Sequence, residues 1–183
     1  MNEPIIQPYS GNIVADTDGL LCMPEARARM SAITDPDHRR AVEALAALRW
    51  AGKELHMATE RLAEKHDLSE GRLQVLMILK HHPNGVALGE LARMGNTSAR
   101  NMTWLIDHLE QDGLVVRVQD PSDRRSVHAR LSEGGLASIE KVWESVIQTQ
   151  SHLTNEISPS ELDQFRHLCL RMVESIRKQG GAL

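Results

Sequence analysis

After the Pro36 of "TDPDHRR" the chain runs without proline as far as His66, and Leu45, Leu48, Gly52, Leu55, Thr59 and Leu62 recur there at alternating steps of three and four. Such steps line residues up along one side of a helix. Its start is well marked, with Asp35 as N-cap, Pro36 at the first helical position and the acidic Asp37 in the first turn. A helix of about thirty residues at 1.5 Å per residue is about 45 Å long. One small domain cannot bury a stripe of that length. The helix must meet other helices, from this chain or from a second copy.

Composition points the same way. The 183 residues suffice for one ordinary domain, or for a small domain with oligomerisation helices. Aromatic residues make up 3%, with one Phe and one Tyr, so the core is built from Leu, Val, Ile, Ala and Met, which favours helix over sheet. A net charge of −4 gives no whole-molecule attraction for nucleic acid. Cys22 and Cys169 are too few for a disulfide scaffold and lack metal-ligand spacing. The first residues, "MNEPIIQPYSGNIVADTDG", have neither a basic start nor an apolar core of the secretory type. No apolar run approaches the roughly eighteen residues of a membrane span. A soluble, cytoplasmic protein is expected.

Residues 1–34 read as an irregular arm, with Pro4, Pro8, Gly11, Gly19 and Pro24 and room for one short helix near residues 25–32. Residues 35–68 form the long helix. Ser69 caps the next, which turns Leu73, Leu76 and Leu79 inward and stops at Pro83-Asn84-Gly85. Two helices follow, broken at Gly95-Asn96. The first is carried by Leu88, Leu91 and Ala92. The second, over about residues 97–111, turns Met102, Leu105, Ile106 and Leu109 inward and ends at Gly113. "LVVRV" and "VHARL" are short strands around "DPSDRRS". Leu136, Ile139, Val142, Trp143, Val146 and Leu153 stripe a further helix. Ser158, Pro159 and Glu161 then open a last one as a capping box, predicted to bury Leu162, Phe165, Leu168, Cys169, Met172, Val173 and Ile176.

Two helices around a tight turn, followed at once by a hairpin, make a winged helix-turn-helix, here over residues 69–131 with its wing at about 114–131. The fold class is mainly α with a small β-hairpin wing, plus helical dimerisation segments at 35–68 and 132–183. The second helix of such a unit enters a major groove by its N-terminal half, and Thr97, Ser98, Arg100, Asn101 and Thr103 supply the side chains suited to it. Arginine reaches guanine O6 and N7, asparagine pairs with adenine N6 and N7, and hydroxyls meet phosphate. A wing tip beside it overlies the minor groove, whose negative potential attracts Arg124 and Arg125, with Asp123 orienting one of them.

"DRRSVHARLS" has the pattern Asp-x-Arg, five residues, Leu, Ser/Thr of the wing in the MarR family of bacterial winged-helix regulators. "LIDHLEQDGLVVRVQDPSDRRS" resembles the end of that family's recognition helix and its wing throughout. The resemblance runs from about Asp35 to the C-terminus and leaves residues 1–34 outside. It implies a homodimer with intertwined first and last helices, presenting two winged units to a pseudo-palindromic duplex with half-sites about one helical turn apart. It also implies a repressor that leaves DNA when a small phenolic or lipophilic ligand, or an oxidant, acts on it. An effector pocket at the junction of the first helices and the fifth would draw on Trp50, Lys53, Met57, Arg72 and Trp143.

Other residues admit two readings. Between Val86 and Leu131 the arginines Arg93, Arg100, Arg117, Arg124, Arg125 and Arg130 are matched in number by Glu90, Asp107, Glu110, Asp112, Asp120 and Asp123. A DNA-binding unit is expected to be basic, so local placement has to separate the two signs. Trp104 packs against the wing or the preceding helix, or else touches DNA. His56, Glu60 and Glu64 align on one helix face, which is more commonly a solvated surface than a metal site. Cys22 is either an unreactive residue of an exposed arm or a redox switch. Cys169 reads as a small core residue.

No phosphate-binding glycine loop, nucleophile elbow or metal triad is present, so an enzyme is not expected. No cofactor or metal is expected either. The predicted partners are double-stranded DNA, a second copy of the chain and a small organic effector, with no membrane. The predicted function is a dimeric, effector-released repressor. The alternatives are the same scaffold switched through Cys22, or a winged-helix protein-interaction module without operator binding.

Overall fold

A computed structural model describes residues 12–119 and 127–180. The chain divides into two compact units, Met1–Lys65 and His66–Leu183.

In the first unit, β1 (Val14–Ala15) pairs antiparallel with β2 (Leu21–Cys22). Asp16 organises the turn between them. Its Oδ1 accepts the backbone N–H of Asp18 at 3.0 Å and of Leu20 at 2.9 Å. Gly19 supplies the left-handed backbone, at φ 78°. The short helix α1 (Pro24–Arg29) follows, then the long helix α2 (Pro36–Glu64). Ala26 and Met30 pack on Ala46 of α2. Within residues 12–34 the Asp-Thr-Asp-Gly turn thus closes a small hairpin, where the sequence predicts irregular chain, before the expected short helix. The cap of α2 is as predicted: Asp35 Oδ1 accepts the N–H groups of Asp37 at 2.8 Å and His38 at 3.2 Å. Of its leucine stripe, Leu62 is buried but Leu45 and Leu55 stay 38% and 55% exposed.

The second unit contains α3 (Glu70–Lys80), β3 (Val86–Ala87), α4 (Leu88–Met94), α5 (Ala99–Gln111), β4 (Val115–Gln119), β5 (Val127–Leu131), α6 (Glu133–Leu153) and α7 (Pro159–Gln179). The three strands form an antiparallel sheet in the order β3-β5-β4, with Arg117 opposite Ala129 and Val86 opposite the same residue from the other side. Leu76 and Leu79 of α3, Leu91 of α4, and Met102, Ile106 and Leu109 of α5 are fully buried and make the core. The mainly α architecture with a small β-hairpin is the one the sequence predicts.

Gly135 in the first turn of α6 shows how tightly the hairpin base is joined to that helix. A Cβ there would lie 1.8 Å from the carbonyl oxygen of Leu114. Helix α7 has its capping box, with the Ser158 N–H donating to Glu161 Oε2 at 2.9 Å and the Glu161 N–H to Ser158 Oγ at 3.4 Å. Its apolar stripe, expected to be buried, is not. No residue of α7 is buried, and Phe165 and Ile176 are 56% and 61% exposed. An amphipathic pattern shows that a face favours burial, not which chain buries it. No helix among the described residues is long and apolar enough to cross a membrane.

Candidate nucleic-acid interface

The turn between α4 and α5 is made by Gly95, which caps α4, and by Asn96, which takes the left-handed conformation at φ 47°. Asparagine tolerates that region better than any branched residue. The Thr97 N–H donates back to the Ala92 carbonyl at 2.9 Å, and Ser98 Oγ accepts the Asn101 N–H at 3.1 Å to open α5. The buried side of α5 is Met102, Leu105, Ile106 and Leu109. Its period leaves the other side to solvent.

On that outer side stand Ser98, Arg100, Asn101 and Thr103, all exposed, with Thr97 half-buried beside them. Two of them are pre-positioned. Asn101 Nδ2 donates to Thr97 Oγ1 at 2.9 Å, and Thr103 Oγ1 donates to the Ala99 carbonyl at 2.9 Å. Orienting the amide this way leaves its carbonyl and second N–H for an outside partner. Trp104 departs from the packing role favoured by its sequence context. It is 53% exposed and lies against His108 one turn further along α5.

The structure separates the two signs of charge. At the far end of α5, Asp107 and Glu110 close on Arg117 of β4. The Asp107 contact is 2.5 Å, and Glu110 takes both a guanidinium N–H and, at 3.2 Å, the Arg117 backbone N–H. Partial burial opposes the charge on Arg117, but the two carboxylates hold it above its ordinary pKa. Glu90 pairs with Arg93 at 3.2 Å, and Asp112 pairs with Arg72 of α3. Four acids between residues 86 and 131 are thus engaged. Arg100 and Arg130 have no carboxylate partner among the described residues, and both are exposed. Equal counts of acid and base therefore do not mean a neutral surface near the start of α5.

Asp123, Arg124 and Arg125 lie outside the described residues. The strands on either side of that segment, β4 and β5, pair from Val115–Leu131 to Gln119–Val127.

The residues expected around an effector fall in both units. Trp50, Lys53 and Met57 stand on α2; of these, Trp50 lines a cavity of about 340 Å³ within the first unit. Arg72 on α3 is committed to Asp112, and its buried Nε has no hydrogen-bond partner among the described residues. Trp143 on α6 meets His81 edge to face at 5.5 Å, with Lys80 Nζ 5.4 Å from its ring centre. Cys22 stands half-buried on β2 and lines the same cavity as Trp50, so it is less open than the sequence suggested. Cys169 is half-buried rather than in a core. Among the described residues no group of three or more His, Cys, Asp or Glu is placed to hold a metal, the His56, Glu60 and Glu64 face included.

Comparison with known proteins bears on this unit. The family model described as "MarR family" matches residues 68–127. An uncharacterized HTH-type transcriptional regulator, YkoM of Bacillus subtilis, is 39% identical over 64 residues, covering 35% of this chain and 42% of YkoM. The transcriptional activatory protein BadR of Rhodopseudomonas palustris is 28% identical over 131 residues, 68% of this chain and 73% of BadR. The matched stretch thus spans less than half of the first relative and about three quarters of the second. The fold is similar to that of CouR from Rhodococcus jostii bound to p-coumaroyl-CoA, with a TM-score of 0.64 at 24% identity over 69% of this chain and 88% of CouR.

Proposed function

We propose that the chain is a transcriptional regulator of the MarR family and that it works as a homodimer which represses by occupying a pseudo-palindromic operator. One observation carries this reading. The outer face of α5 presents Arg100, without a carboxylate partner among the described residues, beside an oriented Asn101, while the acids at the helix end are engaged by Arg117 and Arg72. A face that donates hydrogen bonds, freed of competing carboxylates, suits base edges and phosphates. In this reading Thr97, Ser98, Arg100, Asn101 and Thr103 contact the major groove. Arg124 or Arg125 enters the adjacent minor groove, with Asp123 as its orienting partner.

The dimer is supported by the apolar faces that one chain leaves uncovered, on α7 and on the leucine stripe of α2. Effector release is supported by the CouR complex with its acyl-CoA ligand and by the unsatisfied Nε of Arg72. An acceptor-bearing ligand reaching that atom would relieve the cost of a buried, unpaired donor. Effector binding then favours a dimer whose recognition helices no longer match the half-site spacing.

The test is selection of duplexes from a random pool by the full chain, followed by a salt titration on the winning sequence and sedimentation of the complex. A two-fold-related motif, bound by two chains with salt-dependent affinity, is the expected result. Enrichment of no duplex at low salt would overturn it and favour a winged helix used for protein contact.

A further inference from the structure

Arg27 ties the arm into one body. Its Nη2 lies 2.9 Å from Asp16 of the hairpin turn, and its Nε lies 3.1 and 3.2 Å from the two carboxylate oxygens of Glu43 on α2. Hairpin, α1 and α2 are thereby held around the cavity of about 340 Å³. That volume is at the small end of the roughly 300–1,000 Å³ typical of ligand pockets. The floor exists because α2 presents Ala46, Ala47 and Ala51 at helical spacing with Trp50 among them, where larger residues would fill the space. Leu21 and Met23 line the opposite side, and Leu21 is 76% exposed. The matched family region begins only at residue 68, so this cavity belongs to a part of the chain outside it.

The charges around the cavity decide what it suits. Its one arginine, Arg27, is already held by Asp16 and Glu43 and has little attraction left for an anion. Glu54, one turn beyond Trp50, has no cationic partner among the described residues. It accepts the Trp50 indole N–H, at 3.2 Å. An apolar wall, an indole and a carboxylate with no cation beside it among the described residues form an environment for a hydrophobic body carrying a positive charge.

We propose that the cavity between the N-terminal hairpin, α1 and α2 is a binding site for a small organic cation, an amine or ammonium group on an apolar or aromatic body, with Trp50 against the body and Glu54 against the charge. The site does not depend on the chain reading DNA, and its failure would leave that reading untouched.

Two probes with the same body and opposite charges test it: 4-tert-butylbenzylamine and 4-tert-butylbenzoate, titrated calorimetrically into the full chain. The amine is expected to bind saturably, one per chain, and about tenfold more tightly than the benzoate. Glu54→Gln, at an exposed position, should erase that preference without changing the fold. Ala47→Phe, also exposed in the chain, should fill the cavity and abolish binding of both probes. Equal affinity for the two probes, no binding of the amine to the unaltered chain, or binding that survives Ala47→Phe overturns the proposal. So does a change of oligomeric mass in Ala47→Phe with no amine binding to the unaltered chain, which would make the cavity a seat for a second copy.

Discussion

The Trp104 indole and the His108 imidazole lie with ring centres 4.1 Å apart and planes at 41°, and His108 Nδ1 is 2.8 Å from the Trp104 carbonyl oxygen. The imidazole is thereby fixed, and it fixes the indole in turn. A large aromatic ring is held on the outer side of α5, in line with Thr97 and Asn101, instead of being folded into the core. An apolar surface at that place suits the methyl group of thymine in the major groove. Trp104→Ala is therefore expected to weaken operator binding about tenfold and to relax any thymine preference under it. Its melting temperature should stay close to that of the unaltered chain, since surface changes away from special features stay within about 0.5 kcal/mol. Fluorescence anisotropy on a selected duplex and a thermal melt give both readings. A fall in stability with unchanged affinity would assign Trp104 to packing.

Arg100 and Arg117 separate contact from scaffolding. Arg100→Ala removes an exposed guanidinium with no carboxylate partner among the described residues, and should cost about 1–3 kcal/mol of discrimination at one base pair with no loss of stability. Arg117→Ala leaves Asp107 and Glu110 facing each other without their cation at the joint between α5 and β4. It should lower stability by about 1–2 kcal/mol and weaken binding to all duplexes alike, because the wing loses its anchor. Chemical denaturation beside binding to matched and mismatched duplexes distinguishes them.

How much of this was legible in the sequence follows from the range of the forces involved. The caps at Asp35, Ser69 and Ser158 and the inward face of α5 were readable because a few neighbouring residues decide them. The hairpin of β1 and β2 was not, since strands of two residues leave no periodic signal and only the turn chemistry of Asp16 and Gly19 hinted at it. Nor was the outward direction of Trp104, which depends on His108 as a local partner. The balance of charge was legible only in part, for a related reason. That Asp107 and Glu110 are engaged by Arg117 is a tertiary fact, invisible to a count along the chain.

The exposed stripe of α7 bears on the dimer. Phe165→Glu combined with Ile176→Glu changes two residues that are more than half exposed within the chain. The helix itself should survive. If α7 meets a second copy, the double variant sediments as a monomer and loses about a hundredfold or more in operator affinity, because two half-sites are no longer bound by one linked body. Retention of the dimer would move the interface elsewhere.

Asp16 makes a prediction about acid. The N–H of Leu20, then the Arg27 guanidinium, hold its carboxyl below the usual value of 3.8, against a smaller effect of burial. A depressed folded-state value means that the ion contributes its stability in full above 3.8, and that this contribution is lost as pH falls from there through the folded-state value. The hairpin and its tie to α2 should therefore be intact at neutral pH and loosen only in strong acid. The protection of the Leu20 and Asp18 amides against hydrogen exchange, taken relative to the intrinsic rate at each pH and followed from pH 6 downward, should fall below about pH 4. Asp16→Asn should show the lower protection at every pH, because an amide carries no charge for Arg27.

Gly135 makes the sharpest statement about stability. The nearest atom to an added Cβ is the backbone oxygen of Leu114, at 1.8 Å, with the Leu114 carbonyl carbon at 2.8 Å. Neither can swing away as a side chain would. Leu114 also accepts the Ser132 N–H at 3.1 Å, so moving it disturbs the cap of α6 as well. Gly135→Ala is expected to cost about 3 kcal/mol or more, the high end for overpacking. Gly134→Ala, one residue earlier, meets its nearest backbone oxygen only at 3.2 Å and should cost much less. Thermal melts of the two variants side by side test the join between hairpin and α6. Equal melting temperatures would mean that β4 and α6 can part without cost.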